Sequence, residues 1–239
     1  MNLSAKIEKK QGKAYIKDGF SAVWPICVGY IPLGIALGVL GQKAMLSPLQ
    51  VIAMSLFVFA GSGQFIAVSM ISAGAGSISI IMTVFMINLR HLLMSSSLGV
   101  YLKNVSSKKL AILSYGIVDE TFAVNIQKLK KGDWGPRRSI SVNLFAYSAW
   151  ALSTFAGCYF GEFIPEGAFG IDYALIAMFI CLLVFQLNGS IYFVSAVISG
   201  LIAVFLSMTL PGNSYIVIAS IIAASLGVII KKRLIKNDE

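Results

Sequence analysis

Apolar runs long enough to cross a bilayer follow one another along the chain, broken only by short polar stretches. They cover residues 20–40, 49–72, 78–102, 110–126, 140–160, 173–187, 191–210 and 215–230. A helix needs about 20 mostly apolar residues to cross the hydrocarbon core, and a spanning segment must satisfy its own backbone hydrogen bonds. The pattern predicts an all-α polytopic membrane protein, a bundle of about eight transmembrane helices with some of them broken or kinked. Composition agrees: 57% of the 239 residues are apolar, only 12% are charged, and mean hydropathy is +0.83. A soluble domain carries about 25% charged residues, so this chain has too little charge to cover a water-facing surface.

The formal net charge of +9 invites a nucleic-acid reading, which the distribution of charge excludes. Basic residues gather between apolar runs. Lys6, Lys9, Lys10, Lys13 and Lys17 precede the first run, Lys128, Lys130, Lys131, Arg137 and Arg138 follow the fourth, and Lys231, Lys232, Arg233 and Lys236 close the chain. The loop after the fifth run is acidic, with Glu162, Glu166 and Asp172. Eight crossings place all three basic clusters on the cytoplasmic side, and with them both termini. Lys103, Lys108 and Lys109 disagree, because they would face outward. A re-entrant or broken second run would give seven crossings instead; eight is the preferred count. The expected organisation is a single integral membrane domain over 1–239. It comprises a cytoplasmic tail (1–18), a first helical half (19–126), a basic cytoplasmic loop (127–139), a second helical half (140–230) and a second cytoplasmic tail (231–239). The halves show no alignable repeat. The first polar stretch lacks the apolar core of a cleavable signal, so the first span is expected to be retained. Cys27, Cys158 and Cys181 lie in apolar segments without metal-ligand or disulfide spacing, and no cofactor is expected.

Polar groups inside the apolar runs carry the functional signal. Arg90 lies at the centre of run 78–102, where a charge costs roughly 2.5–3.5 kcal/mol on insertion scales. Such a group is met by an acid, by carbonyls or by a water-filled path. Asn88, His91 and Ser95 share one face of that helix at i, i+3 and i+7, and Arg90 points about 100° from His91. A guanidinium keeps its proton, whereas an imidazole titrates near neutral pH. Asp119 and Glu120 interrupt the fourth run and cannot both face one partner. One is a candidate counter-charge for Arg90, and an exposed helix end is the blander account of the pair. In the second run, Gly61, Ser62 and Gly63 weaken the helix and Gln64 adds an amide that needs partners. Interrupted hydrophobic segments of this kind point to transporter binding sites, because half-helix ends expose backbone groups. Close helix packing with Gln64 as glue is the alternative. In the first run, Pro32 removes a backbone donor, so a kink or break is expected there. Pro25, Gly29 and Pro32 share one face, while Gly34 and Gly38 form a small-xxx-small pair on the other, suited to close helix approach. Asn188 and Gly189, beside Gln186, mark a turn.

Four segments in order resemble the branched-chain amino acid permease family of the azaleucine-resistance (AzlC) type. They are Gly29-Tyr30-Ile31-Pro32-Leu33-Gly34, Phe59-Ala60-Gly61-Ser62-Gly63-Gln64-Phe65, Asn88-Leu89-Arg90-His91 and Asp119-Glu120-Thr121-Phe122. The resemblance is strong over 19–125 and rests mainly on hydropathy thereafter. Ser62 stands where many members are expected to have alanine. The resemblance implies an exporter of leucine, isoleucine, valine and related small neutral amino acids in the bacterial inner membrane. It also implies a separate small AzlD-type membrane protein as partner, and coupling to the proton gradient.

An amino-acid zwitterion needs a site for its carboxylate and one for its ammonium group. Amides at Gly61 to Gln64 or Arg90 are candidates for the first, Asp119 or Glu120 for the second, and His91 or one of the acids for a coupling proton. The preferred assignment makes Arg90 part of an ion pair beside the pathway and His91 the residue that changes state. Rival readings are an intramembrane serine protease built on Ser62 and His91, and a passive channel or scaffold subunit. The protease reading is weak because Ala60 replaces the glycine its motif requires, so no enzyme is expected.

Overall fold

The structure is a computed structural model that describes residues 3–103, 105–132, 134–163 and 190–209, with positions 173, 176, 177, 180, 183, 184, 187, 222, 225 and 227 singly. The described residues are helical, with no strand among them. The chain divides into two compact units, Met1–Gly74 with Ile87–Ala174, and Ala75–Met86 with Leu175–Glu239.

In the first unit, α1 (Leu3–Lys43) runs 41 residues. The break expected at Pro32 is absent: the helix continues through both Pro25 and Pro32. Both prolines and Gly29 are exposed among the described residues, on the face of α1 away from α7. The opposite face packs on α7 (Pro136–Phe160), the most extensive helix pair in the fold. A Cβ added at Gly38 would meet the Thr154 carbonyl oxygen and the Cys158 backbone nitrogen, and one at Gly157 would meet the backbone of Ile35. Of the small-residue pair expected from sequence, Gly34 lies against the Ser153 side chain, whereas Gly38, with Gly157 opposite, forms a backbone-to-backbone seam. Gly135 and Pro136 set the start of α7, proline at the first helical position losing nothing by its missing N–H.

The buried face of α7 is small and polar, with Ser139, Ser141, Asn143, Ser153 and Thr154, while Leu144, Leu152 and Tyr159 face outward. This is the pattern of a helix solvated by lipid and packed through small residues. Among the described residues, three helical stretches are long and apolar enough to cross a membrane: Ala14–Lys43, Ser77–Gly99 and Tyr192–Thr209. α4 (Ser77–Gly99) exposes Ile78, Ile81, Phe85, Leu92 and Leu93, a surface that water would not tolerate.

Two apolar runs that look continuous in sequence are each split in two. The second becomes α2 (Pro48–Phe57) and α3 (Gly61–Ser72). Ser47 caps α2 in a reciprocal pair with Gln50. The interruption falls at Val58–Ala60, just before the glycines, which occupy the first turn of α3. Phe59 adopts a left-handed φ of 38°, which costs about 1–3 kcal/mol, and its ring sits edge-on to Tyr147 at 4.9 Å. The fourth run becomes α5 (Ser107–Tyr115) and α6 (Asp119–Lys130), an interruption the sequence did not disclose. Gly116, Ile117 and Val118 are all buried there, directly before the two carboxylates. Leu98, Leu102, Leu113, Ile117 and Leu129 form a core that packs the end of α4 against both halves.

In the second unit, α8 (Ser190–Thr209) exposes Tyr192, Phe193, Leu201, Phe205 and Met208 in the manner of a lipid-facing helix. The run at 215–230 and most of 173–187 lie outside the described residues. So do Asp133, Glu166, Asp172, Cys181, Gln186, Asn188, Gly189 and the basic residues that close the chain.

Candidate functional site

The site is built on the heads of the two second half-helices. At α3 the cap position is Ala60, which has no oxygen to offer, and the first intrahelical bond is made by the Gln64 amide to the Ala60 carbonyl at 2.8 Å. The amides of Gly61, Ser62 and Gly63 therefore begin the helix without a side-chain cap. At α6 the first turn carries Asp119 and Glu120, where carboxylates complement the positive end of the helix dipole. Thr121 fixes this turn: its hydroxyl accepts from the Val118 amide at 2.9 Å and is directed to the Gly116 and Val118 carbonyls.

One guanidinium joins the two heads. Arg90 on α4 pairs with Asp119 Oδ2 at 2.9 Å and donates through Nη2 to the Ser62 hydroxyl. The side chains of Arg90 and Asp119 are 30% and 25% exposed, so the pair is neither sealed in nor fully solvated. Asn88 lies over the first turn of α3, close enough that a Cβ at Gly63 would stand 3.1 Å from its amide group. Glycine at that position is what lets the amide approach. Asn88 Oδ1, Arg90 Nε and His91 Nε2 are buried atoms without a hydrogen-bond partner among the described residues.

Glu120 is engaged differently from Asp119. It is half-buried, no salt bridge to it occurs among the described residues, and the Tyr30 hydroxyl of α1 donates to its Oε2 at 2.9 Å. Tyr30 is itself buried and meets the Trp150 ring of α7 edge-on at 5.2 Å.

Behind this pair lies a fully satisfied polar chain. Trp150 Nε1 donates to Gln64 Oε1 at 2.7 Å, Gln64 Nε2 donates to Ser55 at 2.9 Å, and Ser55 meets Thr154 at 2.8 Å. Gln64 is thereby committed at both ends of its amide and braces α3 against α2 and α7.

The residues singled out from sequence therefore separate. The structure brings Gly61, Gly63, Asn88, Arg90, His91, Asp119 and Glu120 around the two helix heads. It places Gln64 in the brace behind them and Pro32 on the outer face of α1. Among the described residues the Ser62 hydroxyl accepts from Arg90 and His91 Nε2 receives no hydrogen bond, so the two are not joined as nucleophile and base through that nitrogen.

Comparison with known proteins puts these motifs in one family. The model of the AzlC protein family matches residues 25–164, a segment that contains all four sequence motifs and both half-helix heads. The chain belongs to the AzlC family. Its relatives include the branched-chain amino acid transport protein AzlC of Bacillus subtilis, 26% identical over 97% of this chain and 91% of that protein. The inner membrane protein YgaZ of Escherichia coli is 28% identical over 69% of this chain and 68% of its own length. An uncharacterised membrane protein of Archaeoglobus fulgidus is 29% identical over 78% and 82%. No solved structure matches the chain.

Within this AzlC architecture, several residues that hold the site were not singled out from sequence. Tyr30 sits inside a quoted motif, yet an aromatic in an apolar run costs nothing and carries no flag. Trp150, Ser153, Thr154 and Ser55 are equally silent one at a time. The available signal was periodic: Asn143, Trp150 and Gly157 recur at heptad spacing along α7, as do Ala146 and Ser153, marking a small, polar face.

Proposed function

We propose that this chain is a secondary transporter that exports leucine, isoleucine, valine and analogues across the bacterial inner membrane in exchange for protons. In this reading it is the large subunit beside a small AzlD-type membrane protein, with both termini cytoplasmic. The observation that carries the reading is the pair of interrupted helices whose heads are dressed with opposite charge and share Arg90. The α3 head offers uncapped amides, with Arg90 beside them, to a substrate carboxylate. The α6 head offers carboxylates to the ammonium group, and the surrounding apolar side chains accept the branched chain. Gly61, Gly63, Asn88 and Arg90 form the anion half, Asp119 and Glu120 the cation half, and His91 lies beside them. The name of the Bacillus subtilis relative supports the substrate class.

The test is export of labelled leucine, isoleucine and valine from cells expressing the chain with and without the small partner. Growth on azaleucine serves as a second readout. Export that rises with co-expression, together with uptake into everted vesicles that stops when the proton gradient is collapsed, is the expected result. Unchanged export and unchanged azaleucine sensitivity on co-expression would remove the substrate assignment. Uptake indifferent to the gradient would turn the carrier into a channel.

A further inference from the structure

The cluster around Arg90 holds one cation and two carboxylates, and they are not equivalent. Asp119 is matched by Arg90 at 2.9 Å. The other charged and titratable groups that face Glu120 are Arg90 from α4, already engaged with Asp119, then Asp119 from its own helix and Tyr30 from α1. The Tyr30 hydroxyl is the hydrogen-bond donor that reaches this carboxylate, which sits in the first turn of α6. With Glu120 ionised the cluster carries one negative charge in the interior of a membrane bundle; with Glu120 protonated the cluster is neutral. An intramembrane carboxylate without a cation is expensive and is met by a proton or by a ligand cation. His91 is placed differently: it lies near Arg90 and Asp119, and its Nε2 has no hydrogen-bond partner among the described residues.

We infer that Glu120 is an exchange site that holds either a proton or the ammonium group of the substrate, never both, and that Tyr30 positions it. The inference rests on the zwitterion reading above and moves the proton from His91 to Glu120. A proton arriving at the carboxylate removes the charge that holds the ammonium group, and the substrate leaves. A substrate arriving on the other side displaces the proton. One proton is then exchanged for one net-neutral amino acid, so the cycle moves one positive charge and obligatory antiport needs no second titrating residue. Tyr30 acts through Glu120. Its hydroxyl donates to the ionised carboxylate, so its removal destabilises the charged form and moves the pH at which substrate binding is half lost upward.

Two measurements on the purified full-length chain in lipid test this. In the first, infrared difference spectra are recorded without substrate from acidic to alkaline pH. A carbonyl band of a protonated carboxylic acid that fades as pH rises is expected in the wild type. It should be lost in E120Q, titrate at a displaced pH in Y30F and E120D, and be unchanged in H91Q. A band that persists in E120Q, or that vanishes in H91Q, overturns the assignment. In the second, leucine is added in weak buffer at a pH where the band is present, with binding followed by calorimetry and proton release by a pH electrode. One proton released per leucine bound in the wild type and in H91Q, and none in E120Q, supports the exchange. Leucine binding without proton release, or release retained in E120Q, overturns it. A titrating band that belongs to Glu120, with no binding of leucine, isoleucine or valine, supports the proton site and overturns the substrate reading.

Discussion

Arg90 was legible as a single residue, because a charge inside an apolar run carries a cost that something must offset. The same logic found Asp119 and Glu120, although only the structure distinguishes the paired acid from the other. Replacing Arg90 with alanine leaves a half-buried carboxylate and a buried hydroxyl unmatched. It should cost on the order of 1–3 kcal/mol of stability and abolish leucine export. The double variant R90Q/D119N should recover most of the melting temperature in detergent and none of the transport. Recovery of both would make the pair purely structural. Ser62 contributes its hydroxyl to Arg90 but keeps its amide when changed to alanine. S62A should therefore lose about 1 kcal/mol, and export should fall no more than about fivefold. Complete loss of export would restore the serine as a chemical participant. Tyr30 and Trp150 went unseen because an aromatic ring is at home in lipid whether or not its polar tip is in use.

At the scale of elements, the interruption of the second run could be read from its glycines to within a few residues, while that of the fourth could not. The difference is chemical. Gly61 and Gly63 advertise a weak helix, whereas Asp119 and Glu120 read more readily as charges within one span than as the start of a second helix. The helix is not broken at Pro32 for a complementary reason: a proline on an outward face can be absorbed by a long helix that is held from the other side. That hold predicts opposite outcomes on one helix. G38L drives a side chain into the backbone of α7 and should cost at least about 1–3 kcal/mol, seen as loss of a monodisperse peak in detergent. G29L meets nothing within 4 Å and should stay within about 0.5 kcal/mol of wild type. Equal tolerance of the two would remove the seam as the main contact of α1.

Across the whole molecule, hydropathy announced a helical membrane protein at once, yet it could not say which polar residues meet, because contacts between α1, α4, α6 and α7 join distant parts of the chain. The basic loop after α6 is tied down in a way that suits a membrane surface. Arg138 pairs with Asp18 at 2.7 Å, Arg137 and Arg138 lie over the Tyr15 ring, and Lys128 and Arg138 over the Trp134 ring. Aromatic rings among basic side chains are typical of the headgroup region. Reporter domains placed in the 131–137 loop and at either terminus should all report the cytoplasm. A reporter at the amino terminus that reads outside would convert the eight-crossing count to seven.

At Gly38 and Gly157 the seam sets backbone against backbone, so nothing there can switch rotamer. A slide of one residue would bring Leu37 or Val39 to the place of Gly38, against the Thr154 carbonyl. Mechanically, α1 and α7 are a keel. Any rocking of the short half-helices α3 and α6 in a transport cycle is expected to take place against this pair. A chemical crosslink between α1 and α7 should leave leucine export running, whereas one between α3 and α6 should stop it. Export halted by the first crosslink would mean that the keel itself moves.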